Sequence, residues 1–281
     1  MKYHTLTPKQ ITAYTKFLHR EERTDATVEK YSRDVAAFAA WLGERPVTKE
    51  TVAQWKESLI NNSFSPATIN AKLSAIHGLF RFLGWEECKV KFIRIQKRAF
   101  RDASRELSGA EYQRLLDTAK KLGRERLELL LETICATGIR VSEVKYITVE
   151  AVRDERTNVS LKGKIRSVLL PGKLCRKLKK YAKKQKIVSG EIFLSENGNS
   201  LSRTRIWREM KRICKEAGVE SSKVFPHNLR HLFATTFYRD KKDIVKLADI
   251  MGHSSTNTTR IYLLSTDKEH VRYLEQLELV S

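Results

Sequence analysis

The 281-residue chain is long enough for two modest domains with hydrophobic cores, and it carries 54 Lys and Arg against 33 Asp and Glu, a formal net charge of +21. Such an excess favours a polyanionic partner, because each neutralised phosphate releases counterions. No apolar run reaches the ~18 residues of a membrane span, and the first residues lack the apolar core of a signal peptide. Its four cysteines form no Cys-x-x-Cys pair, and no glycine-rich phosphate loop is present, which argues against a zinc knuckle, a redox motif and nucleotide-driven chemistry. We therefore expect a cytoplasmic protein that binds nucleic acid.

The first 88 residues contain the pattern of four short amphipathic helices. Thr7 is a candidate N-cap, followed by Pro8 in the first helical turn. Further helices are predicted to begin near Asp25, at Thr48 and at Ser65, each with apolar residues at helical spacing. Residues 1–88 are thus predicted to form a compact helical bundle.

Residues 89–105 form a basic segment with seven basic residues and one acidic residue. A charge run is often no more than a solvated helix face. Here the apolar residues interleave with the charges without a helical period. We therefore interpret the segment as an extended interdomain linker that lies on DNA.

A second domain is predicted over residues 106–281. Ser108 is placed to cap its first helix, and the apolar stretch 127–137 predicts a core helix that ends at Gly138. Residues 159–171 alternate around a glycine turn, which predicts a small antiparallel hairpin, and the remainder is expected to be helical. The predicted fold class is mainly α with a small antiparallel sheet.

Two arginines and a tyrosine in this domain are suited to handling a phosphodiester. Guanidinium groups such as those of Arg140 and Arg230 bind phosphate oxygens in a bidentate manner, and a phenol such as that of Tyr262 can attack phosphorus. Arg140 considered alone could simply pair with Glu143, three residues further on. Phosphate binding by Arg140 and its pairing with Glu143 are compatible if Glu143 binds the side of the guanidinium group that faces away from the phosphate.

The histidines of the second domain admit two interpretations. His227 and Arg230 lie three residues apart and share one face of a predicted helix that begins near Pro226. His231 lies four residues from His227, a spacing that also fits a helical zinc site. Such a site needs a third ligand and usually a nearby Glu, and none is adjacent in sequence. We therefore favour phosphate binding and expect neither a metal nor a cofactor.

The order of these motifs resembles that of the tyrosine recombinase family, also called the phage integrase family, over most of the chain. The resemblance rests on Thr137-Gly138-Ile139-Arg140-Val141-Ser142-Glu143, on His227-Asn228-Leu229-Arg230, on Gly252-His253 and on Tyr262, nine residues after His253. It implies an active site of six residues, which are Arg140, Lys162, His227, Arg230, His253 and Tyr262. It also implies an N-terminal core-binding domain followed by a catalytic domain.

The lysine of this set is placed on the hairpin by the resemblance alone. In the family it protonates the 5′-oxygen leaving group from a flexible turn. Lys162 aligns best with that position, and Lys164 is the alternative because the turn is one residue tighter than is common.

The resemblance further implies a site-specific recombinase that acts on double-stranded DNA through a 3′-phosphotyrosyl intermediate. Members of the family often assemble as a tetramer on two DNA sites, with a C-terminal helix docked on a neighbouring subunit. Residues 267–280 would be that helix here; the alternative is that they pack on their own domain. Two alternatives stay open at the level of sequence. One is a catalytically inactive DNA-binding accessory protein, and the other is a type IB topoisomerase, which relaxes DNA without pairing two sites.

Overall fold

The computed structural model describes residues 3–95, 103–161, 164–253 and 255–260, with the backbone alone at residues 103, 161, 164, 257 and 260. The chain divides into two compact units between Lys97 and Arg98. No helix in the described ranges is both long enough and apolar enough to cross a membrane.

The first unit is a bundle of four helices. They are α1 (Pro8–Arg20), α2 (Asp25–Leu42), α3 (Lys49–Asn61) and α4 (Pro66–Leu83), followed by a 3-10 turn at Glu86–Cys88. Side chains of Thr7, Thr48 and Ser65 accept hydrogen bonds from the third backbone amide of α1, α3 and α4 respectively, so these helices begin where the sequence predicts.

Aromatic packing forms the centre of this bundle. Phe38 of α2 meets Trp55 of α3 edge-on at 5.0 Å and Phe80 of α4 at 6.1 Å between ring centroids. All three side chains are buried, and burying a large apolar side chain stabilises a fold by about 1.5–3 kcal/mol. Three of the four helices are therefore held together by one aromatic cluster.

The start of the predicted linker lies against the first unit. The side-chain amide of Asn70, on α4, donates to the Ile93 carbonyl at 2.8 Å and accepts from the Ile93 amide at 2.9 Å. Lys56 donates to the carbonyl of Lys91 at 2.9 Å. These hydrogen bonds hold the segment 89–95 against the bundle. Residues 96–102 lie outside the described ranges.

The second unit surrounds one buried helix. Its α-helices are α5 (Gly109–Lys121), α6 (Glu125–Thr137), α7 (Val149–Arg153), α8 (Gly172–Lys184), α9 (Arg203–Arg212), α10 (Pro226–Lys241), α11 (Ile244–Met251) and α12 (Thr256–Arg260). Helix α6 is the apolar stretch of the sequence and packs against α5, α8 and α10. It ends at Gly138, in the left-handed conformation that favours glycine.

A two-stranded antiparallel sheet is formed by β1 (Arg156–Leu161) and β2 (Lys164–Leu169), with Val159 opposite Arg166. The hairpin starts three residues earlier than predicted. The mainly helical fold with a small antiparallel sheet is confirmed. One expectation was wrong, because residues 185–202 between α8 and α9 are not helical; they contain turns and isolated bridges, Thr148 to Glu191 and Leu194 to Ser200.

Candidate active site

The turn after α6 presents Arg140 at the surface of the second unit. Gly138 has a φ of 62°, and a Cβ at this position would lie 2.5 Å from the ring of Phe233 on α10. A glycine is therefore required both for the turn and for the close approach of α10. Arg140 follows two residues later, immediately before a 3-10 helix at Val141–Tyr146.

Glu143 anchors two arginines with one buried carboxylate. Its side chain is 1% exposed and bonds Nη1 of Arg140 at 2.8 Å, the Arg140 amide at 2.9 Å and Nη2 of Arg166 at 2.5 Å. Burial alone would raise its pKa, but hydrogen bonds from the Arg140 backbone, from Arg166 and from the Arg140 side chain outweigh burial and lower the pKa below its ordinary value. Glu143 is therefore ionised at neutral pH, and the expected pairing with Arg140 is present.

Arg166 is a site residue that the sequence analysis missed. It lies on β2, where its Nη1 donates to the Ile250 carbonyl at 2.9 Å while Nη2 contacts Glu143. A Cβ at Gly252 would clash with Cδ of Arg166, so the chain can turn past this side chain only with a glycine. Burial alternates along β2, with Val168 buried and Ile165 exposed, so residue 166 lies on the inner face. The sequence alone does not mark this face, because Ile165 and Val168 are apolar residues on opposite faces of the strand.

Arg230 joins three parts of the unit. It lies on α10, is 3% exposed and donates to the carbonyls of Gly138 and, at 2.8 Å, of Met251. Its Nη2 also lies 3.0 Å from Nε2 of His253. The end of α6, α10 and the end of α11 are thus fixed around one buried guanidinium group.

His253 is held as a neutral imidazole of one tautomer. A guanidinium group can only donate hydrogen bonds, so Nε2 of His253 accepts from Arg230. The ring proton is therefore on Nδ1, which donates a hydrogen bond to Oγ1 of Thr259 at 2.8 Å. Burial, then the charges of Arg230, Arg140 and Arg166, lower the pKa of His253 to about 4. At neutral pH this ring is uncharged.

His227 lies in the first turn of α10, where Pro226 begins the helix as predicted. Burial, followed by the charge of Arg230, lowers the pKa of His227 below its ordinary value. His231, one of the two residues with zinc-type spacing, lies 3.7 Å from the carboxylate of Glu106.

The structure brings together four of the six predicted residues, which are Arg140, His227, Arg230 and His253. Lys162 and Tyr262 lie outside the described residues, and Lys164 is described by its backbone alone. Guanidinium groups beside neutral imidazoles form a site that suits an oxyanion such as a phosphodiester, because the guanidinium groups supply charge and a neutral imidazole such as that of His227 can accept a proton.

Comparison with known protein families agrees with this chemistry. Residues 105–269 match the phage integrase family, and residues 11–87 match the phage integrase N-terminal SAM-like domain. The chain belongs to the phage integrase family.

Individual relatives match most of the chain. Tyrosine recombinase XerA of Pyrococcus furiosus is 27% identical over 100% of this chain and 98% of its own length. Tyrosine recombinase XerD of Brucella suis is 30% identical over 84% of this chain and 85% of its own. The chain is accordingly a tyrosine-type site-specific recombinase.

Solved structures show a similar fold. A post-cleavage complex of the XerH site-specific recombinase with palindromic difH substrate has a TM-score of 0.70 at 21% identity, covering 89% of this chain and 80% of that one. A lambda integrase tetramer bound to a Holliday junction has a TM-score of 0.75 at 18% identity, covering 92% and 77%. At these identities the likeness concerns the fold.

Proposed function

We propose that this enzyme cleaves and rejoins DNA with Tyr262 as the nucleophile. The phenolate oxygen forms a bond to phosphorus, the bond from phosphorus to the 5′-oxygen breaks, and a 3′-phosphotyrosyl link and a free 5′-hydroxyl result. The 5′-hydroxyl of a partner strand then attacks the link and releases Tyr262. The observation that carries the proposal is the convergence of Arg140 and Arg230 on His253, just before the segment that contains Tyr262.

The two arginines have complementary roles in the proposed reaction. The Arg140 side chain is 39% exposed, so its guanidinium group can reach a phosphate oxygen while Glu143 fixes it from behind. Arg230 is buried and oriented by backbone carbonyls. Bonds from both groups to the non-bridging oxygens strengthen as charge builds up on a pentacoordinate phosphorus, which is the condition for catalysis rather than mere binding.

The proton transfers are assigned to the remaining residues. A neutral imidazole such as that of His227 can accept the proton that Tyr262 loses, because its lowered pKa leaves it unprotonated at neutral pH. The ammonium group of Lys162 gives a proton to the 5′-oxygen as it leaves; Lys164 is the alternative donor. Energy is conserved in the phosphotyrosyl bond, so the exchange needs no nucleotide cofactor.

The proposed partner is duplex DNA with specific recombination sites, and the proposed assembly is a tetramer on two such sites, in the cytoplasm. The lambda integrase tetramer on a Holliday junction supports this assembly. An apolar groove lined by Leu169, Phe233, Phe237 and Ile250 is a suitable acceptor for the amphipathic segment 267–280 of a neighbouring copy.

A suicide substrate tests the proposed chemistry. The substrate is a duplex that carries the cleavage site mapped on host DNA, nicked so that the released 5′ fragment diffuses away and the covalent complex accumulates. The wild-type enzyme should become attached to DNA, whereas Tyr262→Phe should bind DNA with nearly unchanged affinity and form no adduct, because the ring is kept and the nucleophile is lost.

The control is a neighbouring hydroxyl-bearing residue, Ser265→Ala, which should still form the adduct. A covalent complex in Tyr262→Phe would assign the nucleophile to another residue. If the wild type binds DNA tightly but forms no adduct, the protein is an inactive accessory protein. If it relaxes supercoiled DNA but does not recombine two sites, it is a topoisomerase.

A further inference from the structure

Three side chains of metal-ligand type meet in the first unit, outside the phosphate-handling site. Nε2 of His4, a carboxylate oxygen of Glu87 and Sγ of Cys88 all lie within 4.8 Å of one another. Nε2 of His4 and Oε1 of Glu87 are 2.8 Å apart. In the described part of the chain this is the one group of three such donors.

The backbone around Val47 brings these residues together. The His4 carbonyl accepts from the Val47 amide at 2.7 Å, and the His4 ring stacks on Trp85 with centroids 4.6 Å apart. Cys88 is 1% exposed, and its thiol contacts the Val47 carbonyl at 3.8 Å. His4 and Cys88 are therefore positioned by contacts other than the cluster itself, which is how ligand sites are pre-organised.

We propose that His4, Glu87 and Cys88 bind one divalent cation of the zinc class. Imidazole nitrogen, carboxylate oxygen and thiolate sulfur are the donors that Zn²⁺ takes, at about 2.0–2.3 Å, and in a tetrahedral site such donors are roughly 3.3–3.7 Å apart. The pair at 2.8 Å needs to open by only about half an ångström to reach such a spacing. The fourth position is left for water. As sulfur binds the ion, the Cys88 thiol releases its proton to solvent.

The electrostatics of the cluster favour a cation. The carboxylates of Glu87 and Glu50 create a negative potential at Cys88 that attracts a metal ion. Glu87 is 47% exposed, so an ion can enter from solvent.

Binding would have a structural consequence. Residue 4 precedes α1, and residues 87–88 follow α4, so one ion would join the two ends of the four-helix bundle. A link that closes a loop of this length stabilises a fold, because it removes conformations from the unfolded chain. The bound ion should therefore raise the unfolding temperature of the first unit without any change to the chemistry of the second.

Cobalt titration of the purified full chain, freed of metal by a chelator that is then removed, tests the site. Co²⁺ should bind with a stoichiometry of one, give a thiolate-to-cobalt charge-transfer band and be displaced by Zn²⁺. His4→Ala and Glu87→Gln should each weaken Co²⁺ binding at least about tenfold, and Cys88→Ser should abolish the band. His19→Ala and Cys214→Ser are the matched controls, and both should bind Co²⁺ as the wild type does.

Absence of the band in the wild type would overturn the proposal. So would a band that survives Cys88→Ser, or affinities in His4→Ala and Glu87→Gln equal to that of the wild type. Circular dichroism is recorded for each variant. If the buried Cys88→Ser does not fold, His4→Ala and Glu87→Gln decide the question, because neither changes a fully buried side chain.

Discussion

Arg140 can serve as a phosphate ligand because its acidic neighbour is already engaged in holding it. Glu143 uses one carboxylate oxygen for the Arg140 guanidinium group and the other for Arg166, so one buried negative charge is shared by two positive ones. The local balance is therefore positive, and an incoming phosphate is not repelled. The arrangement also explains why Glu143 stays ionised although it is almost fully buried.

Single substitutions can identify the residue that protonates the leaving group. Lys162→Ala should slow cleavage by ~10²–10⁴-fold, the usual contribution of general acid catalysis, and Lys164→Ala should have a smaller effect. DNA with a bridging 5′-phosphorothiolate should restore cleavage by Lys162→Ala, because the sulfur leaves without a proton. The measurement is the rate of covalent complex formation with oxygen-bridged and sulfur-bridged substrates.

Arg140→Ala serves as the control for this experiment. It should stay slow on both substrates, because the arginine acts on the non-bridging oxygens. If Lys164→Ala is the variant that is crippled and then rescued, the alignment of the hairpin is wrong by two residues. If neither lysine variant is rescued, the proton comes from another group, and His227 is the next candidate.

At the scale of elements, the end of α11 packs closely against β2 where Gly252 meets the side chain of Arg166. This residue has a φ of 62°, and a side chain there would strike the aliphatic part of Arg166, which is held at both its Nη atoms. Gly252→Ala should lower the free energy of unfolding by about 1–2 kcal/mol from backbone strain, measured by urea denaturation. It should also slow cleavage of the suicide substrate at least tenfold, because Arg166 and His253 are displaced.

Gly218→Ala is the matched control for that variant. Gly218 is in the same unit and has a φ of 59°, but a Cβ there has no atom within 4 Å among the described residues. It should lose stability from backbone strain alone and keep its cleavage rate. Equal cleavage by both alanine variants would show that the contact between Gly252 and Arg166 does not position the site.

The helices were predictable where a local signal marks their ends. Capping hydroxyls such as that of Ser108, and Pro226 at the start of α10, act within one turn of the chain and can be recognised without tertiary information. Arg166 could not be recognised in this way, because its partners lie 23 and 84 residues away in sequence. Residues 185–202 were wrongly expected to be helical; their backbone forms two isolated bridges, Thr148 to Glu191 and Leu194 to Ser200, and the first of these joins residues 43 positions apart in sequence.

At the scale of the whole molecule, the positive charge is not confined to one unit. Residues 1–97 have 16 basic and 10 acidic residues, a net charge of +6, and the remainder has 38 and 23, a net charge of +15. Helix α8 alone carries seven basic residues and no acidic one. Within the described ranges, Lys177 and Lys184 of this helix pair with glutamates at 2.5 and 2.6 Å, and no ion pair involves Lys179 or Lys183.

Binding to duplex DNA should therefore depend steeply on salt. With ~6–10 phosphate contacts, affinity should fall ~10³–10⁵-fold between ~50 and ~200 mM salt, because each contact releases condensed counterions. Fluorescence anisotropy with a labelled duplex measures the dissociation constant across this range. A duplex of unrelated sequence serves as the control and should give a similar slope at weaker affinity, because phosphate contacts carry no sequence information. A flat dependence would show that the basic surfaces of both units face away from DNA.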